Sequence, residues 1–399
     1  MNTLLRIGLF VLLIGSGGTT ANSQSDKQPG YVGSMACSSC HERETSAWKK
    51  PHHANAWKLP SEDTVDRDFD NAEFAHKGKT SRFYSNEDDF FIETSDFIDA
   101  PMTFKVAGVA GFSPLQQYLI ETEQGRLQSF DVVWDQEKKT WYHPYPAQKL
   151  KPEDGCHWSS PYKNWNARCA ECHSAGIKEN YSLSDRRYNS TQAEINVGCE
   201  ACHGPGENHL SWTRKPGQKM KSTFSGHYDK GFTIGISGSD PQIAIEQCAA
   251  RHSRRESFQD FSPVTGTPFH DSYRLALLRD GLYHPDGQIL EEVYVYGSFL
   301  LSKMHDIGVR CSNCQDPHGS RLQAKENSVC TQCHSQIGNS GFPTLIAKLY
   351  DDRSHHFHEP GTEGAQCVSC HMIERDDMGI DGKRDHSFRV PRPDLSKKI

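Results

Sequence analysis

Residues 169–173 read Cys-Ala-Glu-Cys-His, and residues 199–203 repeat the pattern as Cys-Glu-Ala-Cys-His. Two thiols three positions apart lie on one side of a helical turn and can add to both vinyl groups of a haem, while the adjoining His reaches the iron. Each pentapeptide is therefore interpreted as a haem c attachment site. After the second one, Gly-Pro-Gly at 204–206 turns the chain and makes His209 a candidate sixth ligand to iron.

The same five-residue pattern returns at 37–41, 330–334 and 367–371. Two Cys-x-x-Cys pairs about 25 residues apart also suit a zinc ribbon, but such a ribbon has no need for a His after every second Cys. Haem is thus the preferred interpretation. The predicted tethers and proximal ligands are Cys37, Cys40, His41, Cys169, Cys172, His173, Cys199, Cys202, His203, Cys330, Cys333, His334, Cys367, Cys370 and His371.

Further histidines near the motifs are candidate distal ligands. They are His53, His209, His318, His356 and His386. Most stand in or beside a predicted turn, which allows a side chain to fold back onto an iron. The alternative for each of them is an ordinary solvated His on the surface.

Composition indicates a protein that is short of conventional core. The 399 residues carry a formal net charge of -7, 35% are hydrophobic, and 14 Cys accompany 21 His. The acidic balance does not favour nucleic-acid binding. We expect the porphyrins to replace the missing aliphatic side chains as core.

Residues 1–21 have the pattern of a secretory signal peptide, with Arg6 before the apolar run at 7–14 and small residues after it. That run is too short to span a bilayer; an uncleaved anchor is the alternative. Covalent haem attachment also fits export, so we expect cleavage near Asn22 and a periplasmic location, with membrane contact only through partners.

The remaining chain divides into four predicted segments: an N-terminal haem segment (22–80), a β-rich insertion (81–150), a central multihaem segment (151–260) and a C-terminal multihaem segment (261–399). The insertion is predicted from alternating apolar and polar residues without Cys between Arg82 and His143. The expected fold class is a mainly α and irregular, haem-organised multihaem cytochrome with a small β-rich insertion.

A family resemblance rests on four stretches: 164–174, with Asn-Trp-Asn before the motif; 199–206; Pro-Leu-Gln-Gln-Tyr at 114–118; and 384–394. They resemble periplasmic multihaem c-type cytochromes of the c-552/c-554 kind, related to the tetrahaem cytochrome of ammonia oxidisers. Many relatives continue into tetratricopeptide repeats, which this sequence lacks. The resemblance implies electron transfer through closely packed haems, usually with His on both sides of the iron.

Two stretches depart from that pattern. Residues 248–252 read Cys-Ala-Ala-Arg-His, with Arg251 in place of the second thiol, and residues 311–315 read Cys-Ser-Asn-Cys-Gln, with Gln315 in place of the proximal His. We expect the sites at Cys248/His252 and at Cys311/Cys314 to be empty, because attachment machinery generally reads the whole motif. A disulfide between Cys311 and Cys314 is the alternative at the second site.

The function predicted from these features is electron relay between redox proteins or a respiratory complex. The alternative is an oxidoreductase that acts on a small nitrogen or sulfur compound at one haem with an open coordination position, and Gln315 marks the place where this would apply. A structural haem scaffold is a third, less fitting class. The sequence does not identify the donor, the acceptor or the oligomeric state.

Overall fold

The computed structural model describes residues 30–65, 68–95, 100–214, 230–236 and 240–396. The predicted signal peptide, with Asn22 after it, lies outside these residues. Within them, no helix is both long enough and apolar enough to cross a membrane.

The largest element is a nine-stranded antiparallel sheet. Its strands are β1 (Trp57–Lys58), β2 (Ala72–His76), β3 (Lys79–Asn86), β4 (Asp89–Thr94), β5 (Met102–Ala110), β6 (Leu115–Glu121), β7 (Leu127–Ser129), β8 (Val133–Asp135) and β9 (Thr140–Tyr142). They follow the order β2-β3-β4-β5-β6-β8-β9, with β1 paired to β5 and β7 to β6. We call residues 57–142 the sheet region.

Local sequence explains this sheet. Phe90, Ile92 and Thr94 alternate with more exposed residues in β4, so one face of the strand is buried. The β2–β3 connection is the two-residue turn of Lys77 and Gly78, both with positive φ, which matches the twist of a tight hairpin. Strands β2 to β6 pair in sequence order.

The sheet curls around an aromatic core until its edges nearly meet. Phe83 of β3 stacks on Trp141 of β9 with ring centroids 3.6 Å apart. At the edges, His76 of β2 stacks on His143, just after β9, at 4.4 Å. The sheet is therefore a nearly closed antiparallel barrel with its own hydrophobic interior.

Elsewhere the strands form two-stranded pairs. They are β10 (Ser174–Ala175), β11 (Tyr181–Ser182), β12 (Arg187–Tyr188), β13 (Glu194–Ile195), β14 (Arg255–Ser257), β15 (Tyr273–Leu275), β16 (Gln315–Asp316), β17 (Arg321–Leu322), β18 (Glu374–Asp377) and β19 (Asp381–Arg384). Strand β10 pairs with β13, and each of the other strands pairs with the one next to it in the chain.

The helices are short, with four to nine residues each. They are α1 (Glu42–Trp48), α2 (Trp165–Arg168), α3 (Ala170–His173), α4 (Cys199–His203), α5 (Glu207–Arg214), α6 (Pro241–Ala249), α7 (Phe269–Ser272), α8 (Tyr296–Phe299), α9 (Lys303–Asp306), α10 (Ser328–Thr331), α11 (Arg353–His356), α12 (Cys367–His371) and α13 (Pro393–Ser396). Short 3₁₀ turns are Ser34–Cys37, His53–Asn55, Pro161–Lys163, Cys311–Asn313 and Glu363–Ala365.

The expectation of a mainly α fold is wrong. Strands hold nearly as many of the described residues as helices do, and the sheet starts at Trp57, well before residue 81. The physical reason is that an attachment motif needs only one helical turn, so many motifs do not make a helical protein. The alternation in β2 and the start of β3 was missed because apolar Ala75 is exposed and polar Ser81 is buried, which breaks the expected pattern.

Candidate haem-binding sites

Each intact motif folds into a tight turn that brings its thiols and His together. The backbone N–H of the His donates to the carbonyl of the first Cys in the motifs of His41 (3.0 Å), His173 (3.2 Å) and His334 (2.9 Å). The motifs of His203 and His371 are themselves the helices α4 and α12. This i to i+4 bond is the α-helical one, and it sets both sulfurs and the imidazole on one side of the turn.

Most of these turns open onto one large cavity of roughly 3140 Å³ with mainly apolar walls. Packed protein interiors contain only water-sized voids, so this space fits bulky, flat, apolar groups such as porphyrins. Its lining includes the motifs of His41, His203, His334 and His371. The degenerate stretches at 248–252 and 311–315 line the same cavity.

The motifs approach one another in pairs through their first thiols. A hydrogen bond between the thiols of Cys37 and Cys199 raises the pKa of Cys37 and lowers the pKa of Cys199 to about 6. The same thiol–thiol hydrogen bond raises the pKa of Cys330 and lowers that of Cys367. Each intact pair therefore brings two attachment sites side by side.

The degenerate motifs form a third pair of this kind. The Cys248 and Cys311 thiols share a hydrogen bond that raises the pKa of Cys248 and lowers the pKa of Cys311. Cys311 and Cys314 are free thiols, so the structure contains no disulfide between them. Cys156 is also a free thiol, and it is exposed.

Four pairs of imidazole rings face each other at one spacing. The ring centroids lie 6.3 Å apart for His41 and His209, 6.2 Å for His203 and His318, 6.2 Å for His371 and His355, and 6.1 Å for His252 and His53. Two imidazoles on opposite sides of one metal ion hold their centres roughly 6 Å apart, since each metal–nitrogen bond is about 2 Å long and the nitrogen is about 1 Å from the ring centre. These pairs fit an iron between them.

Hydrogen bonds orient several of these rings. The Nδ1 atoms of His209 and His371 donate to the carbonyls of Lys230 and Arg389, both at 2.8 Å. A ligating His ordinarily gives its other ring N–H to such an acceptor, which fixes the tautomer. The Nε2 atoms of both rings are therefore left to bind iron.

Burial keeps other rings in the neutral form that binds metals. Desolvation lowers the pKa of His53 and of His173, and it lowers the pKa of His252 to about 4. The His252 side chain nevertheless has accessible surface, because its ring faces the cavity.

The structure places the candidate distal ligands as follows. His209 and His318 face the proximal ligands of two intact motifs. His53 faces His252 of a degenerate motif, and not His41 of the motif that precedes it in sequence. The His386 Nδ1 donates to the Arg384 carbonyl at 2.8 Å, and its ring lies against Phe388.

His355 takes the place that the sequence suggested for His356. It is His355 that stacks across from His371. The His356 Nδ1 accepts a hydrogen bond from the His358 backbone N–H at 3.2 Å, and its Nε2 lies 4.0 Å from Asp351. The three histidines at 355–358 predicted a ligand in this stretch, but the sequence did not show which ring lies opposite the motif. The helical turn α11 determines that.

The motif of His173 lies apart from the large cavity, against the sheet region. The His173 Nδ1 donates to the Ala56 carbonyl at 3.0 Å, and its ring contacts Trp165. On the other side, Glu171 accepts hydrogen bonds from Arg255 at 3.0 Å and from the Tyr273 hydroxyl at 2.6 Å. This motif therefore lies between the sheet region and residues of the central and C-terminal segments.

Comparison with a family model supports the haem interpretation. The model described as cytochrome c554 and c-prime matches residues 36–83 and 134–204, together less than a third of the chain. These stretches contain the motifs of His41, His173 and His203. The predicted resemblance to multihaem c-type cytochromes is confirmed.

A solved structure of another multihaem cytochrome shares the fold. The outer cell wall cytochrome OcwA matches with a TM-score of 0.61 and 18% identity, over 92% of this chain and 81% of that one. An undecahaem cytochrome from the S-layer of Carboxydothermus ferrireducens matches with a TM-score of 0.45 and 16% identity, over 91% of this chain and 52% of that one. Comparison with curated protein sequences gave no match.

Proposed function

We propose that this multihaem c-type cytochrome relays electrons between redox proteins through haems at its five intact motifs, most of them ligated by His on both sides. The observation that carries the proposal is the repeated facing of two imidazoles across one continuous cavity. Haem groups supply reversible one-electron chemistry there. An iron with both axial positions filled has no free position for a substrate.

The residues of the chain have distinct roles in this proposal. The ten motif thiols tether the porphyrins, and the motif histidines bind iron. The distal histidines His209, His318 and His355 close the irons of three motifs. The apolar cavity walls limit water and, with ligand identity, tune the potentials.

Paired attachment sites support a relay. The sulfurs of Cys37 and Cys199 lie next to each other, as do those of Cys330 and Cys367, so the two attachment sites of each pair are side by side. Groups tethered at such neighbouring sulfurs are close enough to exchange electrons without leaving the protein. Redox proteins or a respiratory complex are the proposed electron donor and acceptor.

We place the protein outside the cytoplasm, in the periplasm or elsewhere in the cell envelope. The support is the predicted signal peptide at 1–21, together with the similarity to OcwA, which is an outer cell wall cytochrome by name. Expression with the native N-terminus and N-terminal sequencing of the envelope fraction test this. A start near Asn22 is expected, and a start at Met1 would contradict it.

An assay for open irons tests relay against the alternative of an enzyme. The relay proposal expects carbon monoxide to leave the haems at the motifs of His41, His203 and His371 unchanged in the reduced spectrum, and it expects no turnover of nitrite or hydroxylamine. Gln315→His then adds a haem or changes nothing. The proposal fails if a large carbon-monoxide-sensitive fraction and turnover occur together and both disappear in Gln315→His.

A further inference from the structure

We infer that the degenerate motif at 248–252 holds a sixth haem, tethered by the single thioether of Cys248 and ligated by His252 and His53. This inference rests on the proposed haem chemistry of the intact motifs and extends it to a site whose sequence predicts emptiness. Backbone geometry, thiol placement and imidazole spacing support it separately.

The backbone of this stretch is that of an intact motif. The His252 N–H donates to the Cys248 carbonyl at 2.9 Å, as His334 does to Cys330. Gln315 of the other degenerate stretch instead lies in β16, where it pairs with Leu322 of β17. Loss of the second thiol has therefore left the attachment turn of Cys248 unchanged.

The Cys248 thiol is also placed like the first tethering thiol of an intact motif. Its contact with Cys311 repeats the contacts of Cys37 with Cys199 and of Cys330 with Cys367, each between the first thiols of two motifs.

The two imidazoles supply the iron site. His53 and His252 face each other at 6.1 Å, within 0.2 Å of the three intact pairs. They come from residues about 200 positions apart, so neither local chain geometry nor sequence proximity forces the spacing. Both rings line the large cavity.

Arg251 is accommodated without blocking the site. Its Nη1 donates to the Ala201 carbonyl of α4 at 2.8 Å. The side chain that replaces the second thiol is thus tied to the neighbouring motif of Cys199 and Cys202. The second vinyl group of the porphyrin then stays unreacted.

The tether forms by addition of a thiol to a vinyl group. The Cys248 sulfur bonds to the inner vinyl carbon, the carbon–carbon π bond breaks, and the thiol hydrogen ends on the terminal carbon. No electrons are gained or lost overall, so the step needs no oxidant or reductant.

Peptide mass spectrometry of the mature holoprotein tests the inference. We expect haem mass on the Cys248 peptide as well as on the five intact motif peptides, and a pyridine haemochrome α-band with a red-shifted component from the single-thioether haem. Arg251→Cys should leave the haem count unchanged and remove that component. Haem on the five intact peptides alone, with one haem gained in Arg251→Cys, would overturn the inference and leave the relay proposal standing.

Two further variants separate the tether from the ligand. Cys248→Ser should release one haem per chain on acid–acetone extraction, since only thioether-bound haem resists it. His53→Ala should open one iron to carbon monoxide, whereas His52→Ala, at the neighbouring cavity-lining position, should not. No difference between the two His variants would count against His53 as ligand. Absence of haem from all peptides would sink both proposals.

Discussion

The sheet region and the part of the chain around the large cavity are stabilised in different ways. The first buries a contiguous cluster of aromatic and β-branched side chains, including Phe83, Tyr118 and Trp141. The second, which we call the haem-lined region (residues 30–53, 198–214, 230–236 and 240–392), places short helices around a cavity of roughly 3140 Å³. Its own hydrophobic clusters are small.

This difference separates two sources of core. In the sheet region, alternating side chains supply the buried apolar surface, which is the dominant favourable contribution to folding. In the haem-lined region, the apolar walls surround a cavity that fits porphyrins. Covalently attached porphyrins therefore supply the rest of the buried apolar surface. The supply of haem should therefore affect the stability of the haem-lined region much more than that of the sheet region.

Withholding haem should have the largest effect. In chain produced without the attachment machinery, we expect residues 240–392 to become sensitive to protease, because their cavity walls lose most of their contacts. Residues 57–142 should stay resistant. Limited proteolysis followed by peptide mapping of haem-free and mature protein measures both; uniform resistance of the haem-free chain would remove the distinction.

Phe83→Ala should destabilise the sheet region and leave the haem-lined region unaffected. Phe83 is fully buried and stacks on Trp141, so truncation should lower the free energy of unfolding by about 3–5 kcal/mol. Tyr84→Ala, at the next and only half-buried position, should cost about 1 kcal/mol. Chemical denaturation of both variants checks this, with unchanged haem content as the control. A fall in haem content with Phe83→Ala would mean that the regions are not separable.

The sequence specified the chemistry better than the fold. The Cys-x-x-Cys-His spacing is a local property, so the turns at His41, His173 and His334 followed directly from it. Which imidazoles meet depends on where remote segments lie, so the sequence pointed to His356 whereas His355 lies opposite His371, and His53 lies opposite His252 and not His41. The sheet was underestimated at its N-terminal end because the exposed Ala75 and the buried Ser81 break the alternation of apolar and polar residues there.

Removal of one distal ligand should open one iron within the haem-lined region. His209 faces His41 and is held through Nδ1 by the Lys230 carbonyl. His209→Ala should convert one haem per chain to a form that binds carbon monoxide. His358→Ala, an exposed position in the same protein, is the matched control and should leave the spectrum unchanged. Equal spectra for both variants would exclude His209 as ligand.

The smallest expected effect is a pH dependence at Glu179, close to the junction of the regions. Burial, with Asp260 and Glu171 nearby, raises the pKa of Glu179 to about 7. The unfolded chain releases this proton near pH 4.5, so the folded form binds more protons between these values and stability falls as pH rises through them. Glu179→Gln should therefore gain stability relative to wild type as the pH rises from 5 to 8.

Denaturation midpoints at both pH values measure this gain. Glu137→Gln, at an exposed position between β8 and β9, is the control for the loss of a charge. A relative stability of Glu179→Gln that is equal at both pH values would contradict the raised pKa of the half-buried Glu179 carboxyl.

Electron paramagnetic resonance of the oxidised mature protein, calibrated against iron content, tests the facing imidazole pairs most directly. We predict low-spin signals for at least four irons per chain, those of His41, His203, His371 and His252. If high-spin signals account for most of the iron, the imidazole pairs do not close the irons and the account of a relay through His-ligated haems is contradicted.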